Sequence, residues 1–177
     1  MKNAVFIGTS LDGYIADKGG GLDFLHSVPN PKQDDLGYLA FIDRIDALLM
    51  GRRTYETVLG FGGQWPYSKP VFVLSNTLSS LPEQLQDKVE LISGSIKQVV
   101  EQINGRGLEQ LYIDGGKLIQ SFLQEDMIDE IIITQVPILL GGGTSLFGEL
   151  PAHLTFNLVG TEVFLNAIVQ SHYKRIR

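Results

Sequence analysis

The stretch YIDGGKLIQSFL, Tyr112–Leu123, begins as the end of a buried strand and finishes as an amphipathic helix. Between the two stand Asp114, Gly115, Gly116 and Lys117. A helix start leaves N–H groups unpaired and carries roughly half a positive charge, which attracts phosphate. The glycines let a ligand approach the backbone, and Lys117 adds a full charge, so this corner suits a pyrophosphate.

Working outward, LLMGRRTYE sends another strand into a helix through Gly51 and brings Arg52, Arg53 and the Thr54 hydroxyl to a second corner. A ribose phosphate carries close to two negative charges, and arginine binds such a group through a planar fork. Two anion-suited corners in one sheet point to a dinucleotide phosphate. A third corner, LSNT, offers Ser75, Asn76 and Thr77 as neutral hydrogen-bonding groups.

The remaining segments fit one pattern. Asn3–Thr9, Ala47–Met50, Pro70–Ser75, Val89–Ser93 and Asp129–Leu139 read as short apolar strands, the last broken at Pro137. Helices are expected over 33–46, from Gly51 to Gly60, and over Ser95–Gly105 with a serine cap and a terminal glycine. From about Leu154 the tail reads as two strands turning around Asn166 and Ala167. Strands alternating with helices imply a mostly parallel sheet covered on both faces, with the final hairpin closing one edge. In such sheets ligands bind outside the carboxyl ends of the strands, where all three corners would lie.

At 177 residues the chain is expected to form a single domain, 1–177. The net charge of −6, with no basic block, argues against nucleic acid as a partner. Without cysteine there are no disulfides, thiol chemistry or cysteine-based zinc sites. The first residues are too briefly apolar for a signal peptide, and no apolar run approaches the roughly 20 residues of a membrane span. A cytoplasmic location is expected. His26, His153 and His172 are far apart, and no Rossmann, P-loop or nucleophile-elbow motif occurs, so no metal is expected.

The segments SLDGYIA, LLMGRRTYE, VFVLSNT, YIDGGKLIQSFL and PILLGGGTSLF, in this order, resemble the dihydrofolate reductase superfamily. The likeness is greatest to the reductase domain at the carboxyl end of bacterial riboflavin-biosynthesis deaminase-reductases and to its stand-alone relatives. It implies a three-layer α/β/α fold, NADPH as hydride donor, a small-molecule substrate and, with the apolar strand edges, a homodimer. Gly51 would start a helix, Arg52 would hold the adenosine 2′-phosphate beside Arg53, and Thr54 would meet the pyrophosphate. Ser75, Asn76 and Thr77 would serve the adenosine phosphate, Asp114, Gly115 and Gly116 the pyrophosphate corner, and Lys117 would add charge near the adenosine side. Leu118 and Ile119 would lie beside the cofactor, with Gly8 and Ile15 on the nicotinamide side.

For catalysis the resemblance implies one carboxyl group that supports protonation during hydride transfer. Asp35, sixteen positions before Gly51, stands at that separation, and Thr134 matches the threonine that accompanies it. The alternative reading is that Asp34 and Asp35 only favour a helix start. Gln135, Pro137 and Leu139 could shape the substrate pocket. Two departures bear on the substrate. Lys69 stands where folate reductases carry an arginine for the glutamate carboxylate, and GGGLDFL leaves Asp23 and Phe24 where they carry a tryptophan. The riboflavin-type reductase acts on a phosphorylated pyrimidine, yet no basic residues are clearly placed for one. A pteridine, a pyrimidine or another conjugated imine or carbonyl all remain open, as does a nucleotide-binding module without catalysis.

Overall fold

A computed structural model describes residues 2–177. An eight-stranded sheet runs through it in the order β5-β4-β3-β6-β1-β7-β10-β9. Its parallel strands are β1 (Lys2–Thr9), β3 (Ala47–Gly51), β4 (Val71–Leu74), β5 (Val89–Ile92), β6 (Gln110–Asp114) and β7 (Glu130–Gln135). The antiparallel hairpin β9 (Phe156–Phe164) and β10 (Ile168–Arg175) joins at β7 and closes that edge, as the sequence implied. Its turn holds Leu165 and Asn166 at φ 52° and 55°, left-handed values that match the strand twist. A two-stranded ribbon, β2 (Tyr14–Ala16) with β8 (Thr144–Ser145), stands apart from the sheet.

Helices cover both faces because the central strands are apolar on both sides. α3 (Ile96–Asn104) and α4 (Gly116–Gln124) bury Val99, Ile103, Ile119 and Phe122 against Val5, Leu49 and Leu111. On the other face, α1 (Tyr38–Asp43) and α2 (Arg52–Gly60) contribute Phe41, Ile42 and Tyr55 to a core with Leu48, Met50 and Val73. Ser95 caps α3 through a complete capping box with Gln98, which accounts for its clean start. Among the described residues no helix is long and apolar enough to cross a membrane.

Two expectations change. The helix anticipated over 33–46 shrinks to Tyr38–Asp43, because Gln33, Leu36 and Gly37 all take positive φ. Asn30 and Asp34 also tie that segment into a turn of their own. Ser75, expected at a strand-to-helix corner, instead ends β4 in a loop, with only a short 3-10 turn at Glu83–Leu85 before β5. Its hydroxyl accepts from the N–H groups of Thr77 and Leu78 and shapes that loop.

Candidate active site

The carboxyl ends of β3, β4 and β6 lie side by side, since β3 pairs with both neighbours. This brings Gly51, the Ser75 loop and Gly115 to one rim. Gly115 has φ 100°, and a Cβ there would stand 2.1 Å from Oγ1 of Thr54, so the two glycine corners are in contact. A Cβ on Gly116 would meet Cδ1 of Ile15 at 2.7 Å and Cγ2 of Thr144 at 3.3 Å. The β2–β8 ribbon therefore rests on the start of α4. At Gly51 a Cβ would meet nothing within 4 Å, which leaves open space beside the first turn of α2.

The cations of the rim are accessible. Arg52, Arg53 and Lys117 are exposed, and Arg52 is steadied by Glu56 at 2.6 Å and by Thr77 Oγ1 at 2.9 Å. A rim with two helix starts and three exposed cations suits a dinucleotide phosphate, although the space a side chain would take at Gly115 and Gly116 is filled by Thr54, Ile15 and Thr144, so only Gly51 presents an open corner. Leu118 and Ile119 are buried in the core, so their side chains face away from the rim and only their backbone is offered to a ligand.

Asp12 links two of the glycine-rich segments. Its carboxylate accepts from Ser10 Oγ at 2.6 Å and from the N–H groups of Leu140 and Gly141 at 3.1 and 2.8 Å. These bonds, the Ser10 hydroxyl first, hold its pKa down to about 2 despite some desolvation. The turn after β7 is thus pinned to the turn after β1, which explains why SLDGYIA and PILLGGGTSLF belong together.

Beside the rim, on the α1 and α2 face, opens a cleft of about 860 Å³. Gly8, Phe6 and Tyr112 form its floor, Leu25 and His26 one wall, and Val58, Phe61 and Tyr67 the other. Thr134 reaches it from β7 and Val136 from the residue just after that strand. Strand alternation turns Gln135 away, Pro137 does not line the cleft and Leu139 is 68% exposed, so the expected pocket role passes to Thr134 and Val136. Phe24 is likewise withdrawn into a small core with Val136 and Ile168, while Asp23 is exposed. Lys69 lines a separate crevice of about 80 Å³ that shares Tyr38 and Tyr67 with the cleft.

Asp35 and Thr134 both line the cleft, but each has another partner. Thr134 Oγ1 accepts from Nε2 of Gln170 at 2.8 Å, and the same amide donates to the Leu36 carbonyl at 2.9 Å. Asp35 is exposed at the rim, and its carboxylate accepts from the N–H groups of Leu39 and Gly37 at 2.6 and 3.3 Å. It therefore does cap the start of α1, whatever else it does.

The shielded acid is Asp114, which the sequence placed only in the phosphate corner. Burial raises its pKa to about 6, even though the Gly115 N–H and the Tyr67 hydroxyl donate to it and pull the other way. Tyr67 in turn is pushed upward, by burial first and by the charge of Asp114 second. The same two causes lift Tyr38 to about 12. Tyr112, whose hydroxyl donates to the Phe6 carbonyl at 2.9 Å, completes the group. An acid poised near neutrality thus sits behind the tyrosines that face the cleft. The signal was present in Tyr112, Ile113 and Asp114, but nothing local in the sequence tells that Tyr67 arrives from 47 positions away.

Comparison with known proteins shows the family and the fold of the chain. The family model described as "RibD C-terminal domain" matches residues 4–170. A candidate riboflavin biosynthesis protein of Shewanella sp. PV-4 has a solved structure that is 55% identical, with TM-score 0.97 and complete coverage of both chains. The Thermotoga maritima diaminohydroxyphosphoribosylaminopyrimidine deaminase/5-amino-6-(5-phosphoribosylamino)uracil reductase is 15% identical at TM-score 0.76. That match covers 99% of this chain and 56% of that one. Dihydrofolate reductase from Enterococcus faecalis, solved in complex with NADP(H) and RAB-propyl, shares the fold at TM-score 0.69. There the identity is 17%, over 99% of this chain and 97% of that one.

Proposed function

Because the chain belongs to the RibD C-terminal domain family, we propose that it is an NADPH-dependent reductase acting on a C=N or C=O bond of a small ring substrate. The observation that carries this is the contact between Gly115 and Thr54, which joins the two helix starts into one continuous corner beside a cleft backed by a shielded acid. NADPH, when bound, supplies the hydride. The protein's share is to hold it and to manage the proton.

In this reading Arg52, with Arg53 near it, takes the 2′-phosphate, and Ser75, Asn76 and Thr77 surround the adenosine end. Gly51, Thr54, Gly115, Gly116 and Lys117 hold the pyrophosphate, with the backbone of Leu118 and Ile119 behind them. Gly8 and Ile15 flank the nicotinamide side. Asp114 keeps a proton at its carboxyl up to about pH 6, and Tyr67 connects it to the cleft wall. Asp35, on the rim, orients the substrate's polar edge and Thr134 steadies that wall through Gln170. A homodimer belongs to the same proposal, because β9 is an edge strand on which Leu158, Val159 and Val163 are 59%, 51% and 63% exposed.

Titration with both dinucleotides, followed by NADPH oxidation with dihydropterins and aminopyrimidines, tests it. One charge-assisted contact is worth roughly 1.5 to 3 kcal/mol, so NADPH should bind well over tenfold tighter than NADH. Equal affinities would refute the 2′-phosphate assignment. Tight NADPH binding with no turnover on any substrate would instead favour a binding module without catalysis.

A further inference from the structure

Granting that the 860 Å³ cleft is the substrate site, its walls restrict what that substrate can be. Phe6, Tyr38, Phe61, Tyr67 and Tyr112 all face it, so a flat ring finds aromatic surface on several sides. The exposed ionisable groups that line it are Asp34, Asp35 and His26. Among the described residues no lysine or arginine lines it. Lys69 lines a neighbouring crevice of about 80 Å³ that shares Tyr38 and Tyr67 with the cleft, and does not line the cleft itself.

A phosphate ester brings close to two negative charges and requires cationic or N–H donors to replace its water. Here it would meet two carboxylates. Asp34 and Asp35 each spend part of their acceptor capacity on backbone N–H groups, at 2.9 Å to Leu36 and 2.6 Å to Leu39. An ionised carboxylate has about four lone-pair sites, so each retains capacity for an incoming N–H. We infer that this cleft takes an unphosphorylated, neutral or cationic, amino-bearing heteroaromatic ring, and that Asp34 and Asp35 select against a phosphorylated one. The chain would then differ in substrate from a reductase of phosphoribosyl-pyrimidines, although it shares that fold.

The test is a pair of ligands that differ only in the phosphate: 5-amino-6-(ribitylamino)uracil and its 5′-phosphate. Their dissociation constants are measured by calorimetry on the whole protein, with and without saturating NADP+. Binding is read directly, so the result stands apart from whether dinucleotide binds or turnover occurs. The free ribityl compound should bind at least about tenfold tighter, and Asp34→Lys should narrow that gap at least about threefold. Equal or tighter binding of the phosphate ester, or no binding of either ligand, would overturn the inference. A gap that Asp34→Lys leaves unchanged would overturn the role given to the two carboxylates.

Discussion

Gly115 and Thr54 touch across two separate strand ends: a Cβ on the glycine would lie 2.1 Å from the threonine Oγ1 and 3.3 Å from its Cβ. The corners around the two residues are therefore a single piece of surface. Gly115 also holds φ 100°, a backbone region that costs other residues about 1–3 kcal/mol. Gly115→Ala should lower stability by at least about 2 kcal/mol, or roughly 4–8 °C in Tm for a chain this long, and weaken NADPH binding. Thermal melts check this, and adding Thr54→Ala should restore part of the loss by removing the hydroxyl in the way.

Arg52→Ala should weaken NADPH binding about 10- to 100-fold and leave NADH nearly unchanged, because only the former has a 2′-phosphate to lose. Parallel titrations read the ratio. If both dinucleotides weakened equally, the guanidinium would be acting on the shared pyrophosphate. Loss of its bond to Glu56 should itself matter little, since that pair is nearly half exposed on both sides.

The pH dependence of Asp114 has a definite sign. Folded, it keeps its proton to about pH 6; unfolded, an aspartate releases it near pH 3.9. The folded chain thus binds more protons between these values. The corresponding stability is fully present below about pH 4 and is lost as pH rises through about 6. Asp114→Asn should accordingly be more stable than the parent at pH 8, by on the order of 2 kcal/mol, and lose that advantage by pH 4. Denaturant unfolding at several pH values measures it. Under the proposed mechanism the same variant should reduce turnover about 10²- to 10⁴-fold and remove the fall in rate above pH 6.

Asp35→Asn separates two roles of one residue. Asparagine keeps an oxygen for the Leu39 N–H, so the start of α1 should survive and stability should change by less than about 1 kcal/mol. If Asp35 orients the substrate through its charge, turnover should nevertheless drop by tenfold or more. A variant that melts and turns over like the parent would leave Asp35 as a cap only.

Glu130 tests the far end of the sheet. It is 3% exposed and receives both terminal nitrogens of Arg44, at 2.6 and 3.0 Å, with His172 also against it. Burial would raise its pKa, but the Arg44 bonds and charge, helped by His172, bring it below the ordinary value. Its stability contribution is therefore present near neutrality and is lost as pH falls through that depressed pKa, opposite in sign to Asp114. Glu130→Gln should cost about 3 kcal/mol at pH 7, the low end for a broken buried pair because Arg44 retains access to water. Urea unfolding at pH 7 gives the value.

What the sequence makes legible is local. The strand-glycine-helix corners at Gly51 and Gly115, the Ser95 cap and the tail hairpin each rest on a few neighbouring residues, and each is found. The α1 region defeats the same reasoning, since its helical spacing is overridden by three positive-φ residues and by Asn30 bonding to Asp34. Gln135 points away from the cleft because its face follows the register of β7 with its neighbours, and Phe24 because its short 3-10 turn packs it on Val136 and Ile168, contacts set by distant segments. The Asp114–Tyr67 pair and the bond from Gln170 to Thr134 join segments far apart in the chain, and no spacing within the sequence encodes them.

The ribbon over α4 has a kinetic consequence. Its strands are three and two residues long, far short of what a two-stranded pair needs to stand alone in water. It keeps its place through the packing of Ile15 on the core, the bond from Gln120 to the Ser145 carbonyl, the backbone bonds Leu146 to Gly13 and Ser10 to Tyr14, and close contacts at Gly116 and Gly143. So short a flap is expected to open more readily than the eight-stranded sheet beneath it. A nucleotide lodged at the start of α4 would come and go at the tempo of that flap, and its residence time would report on the looseness of a handful of residues.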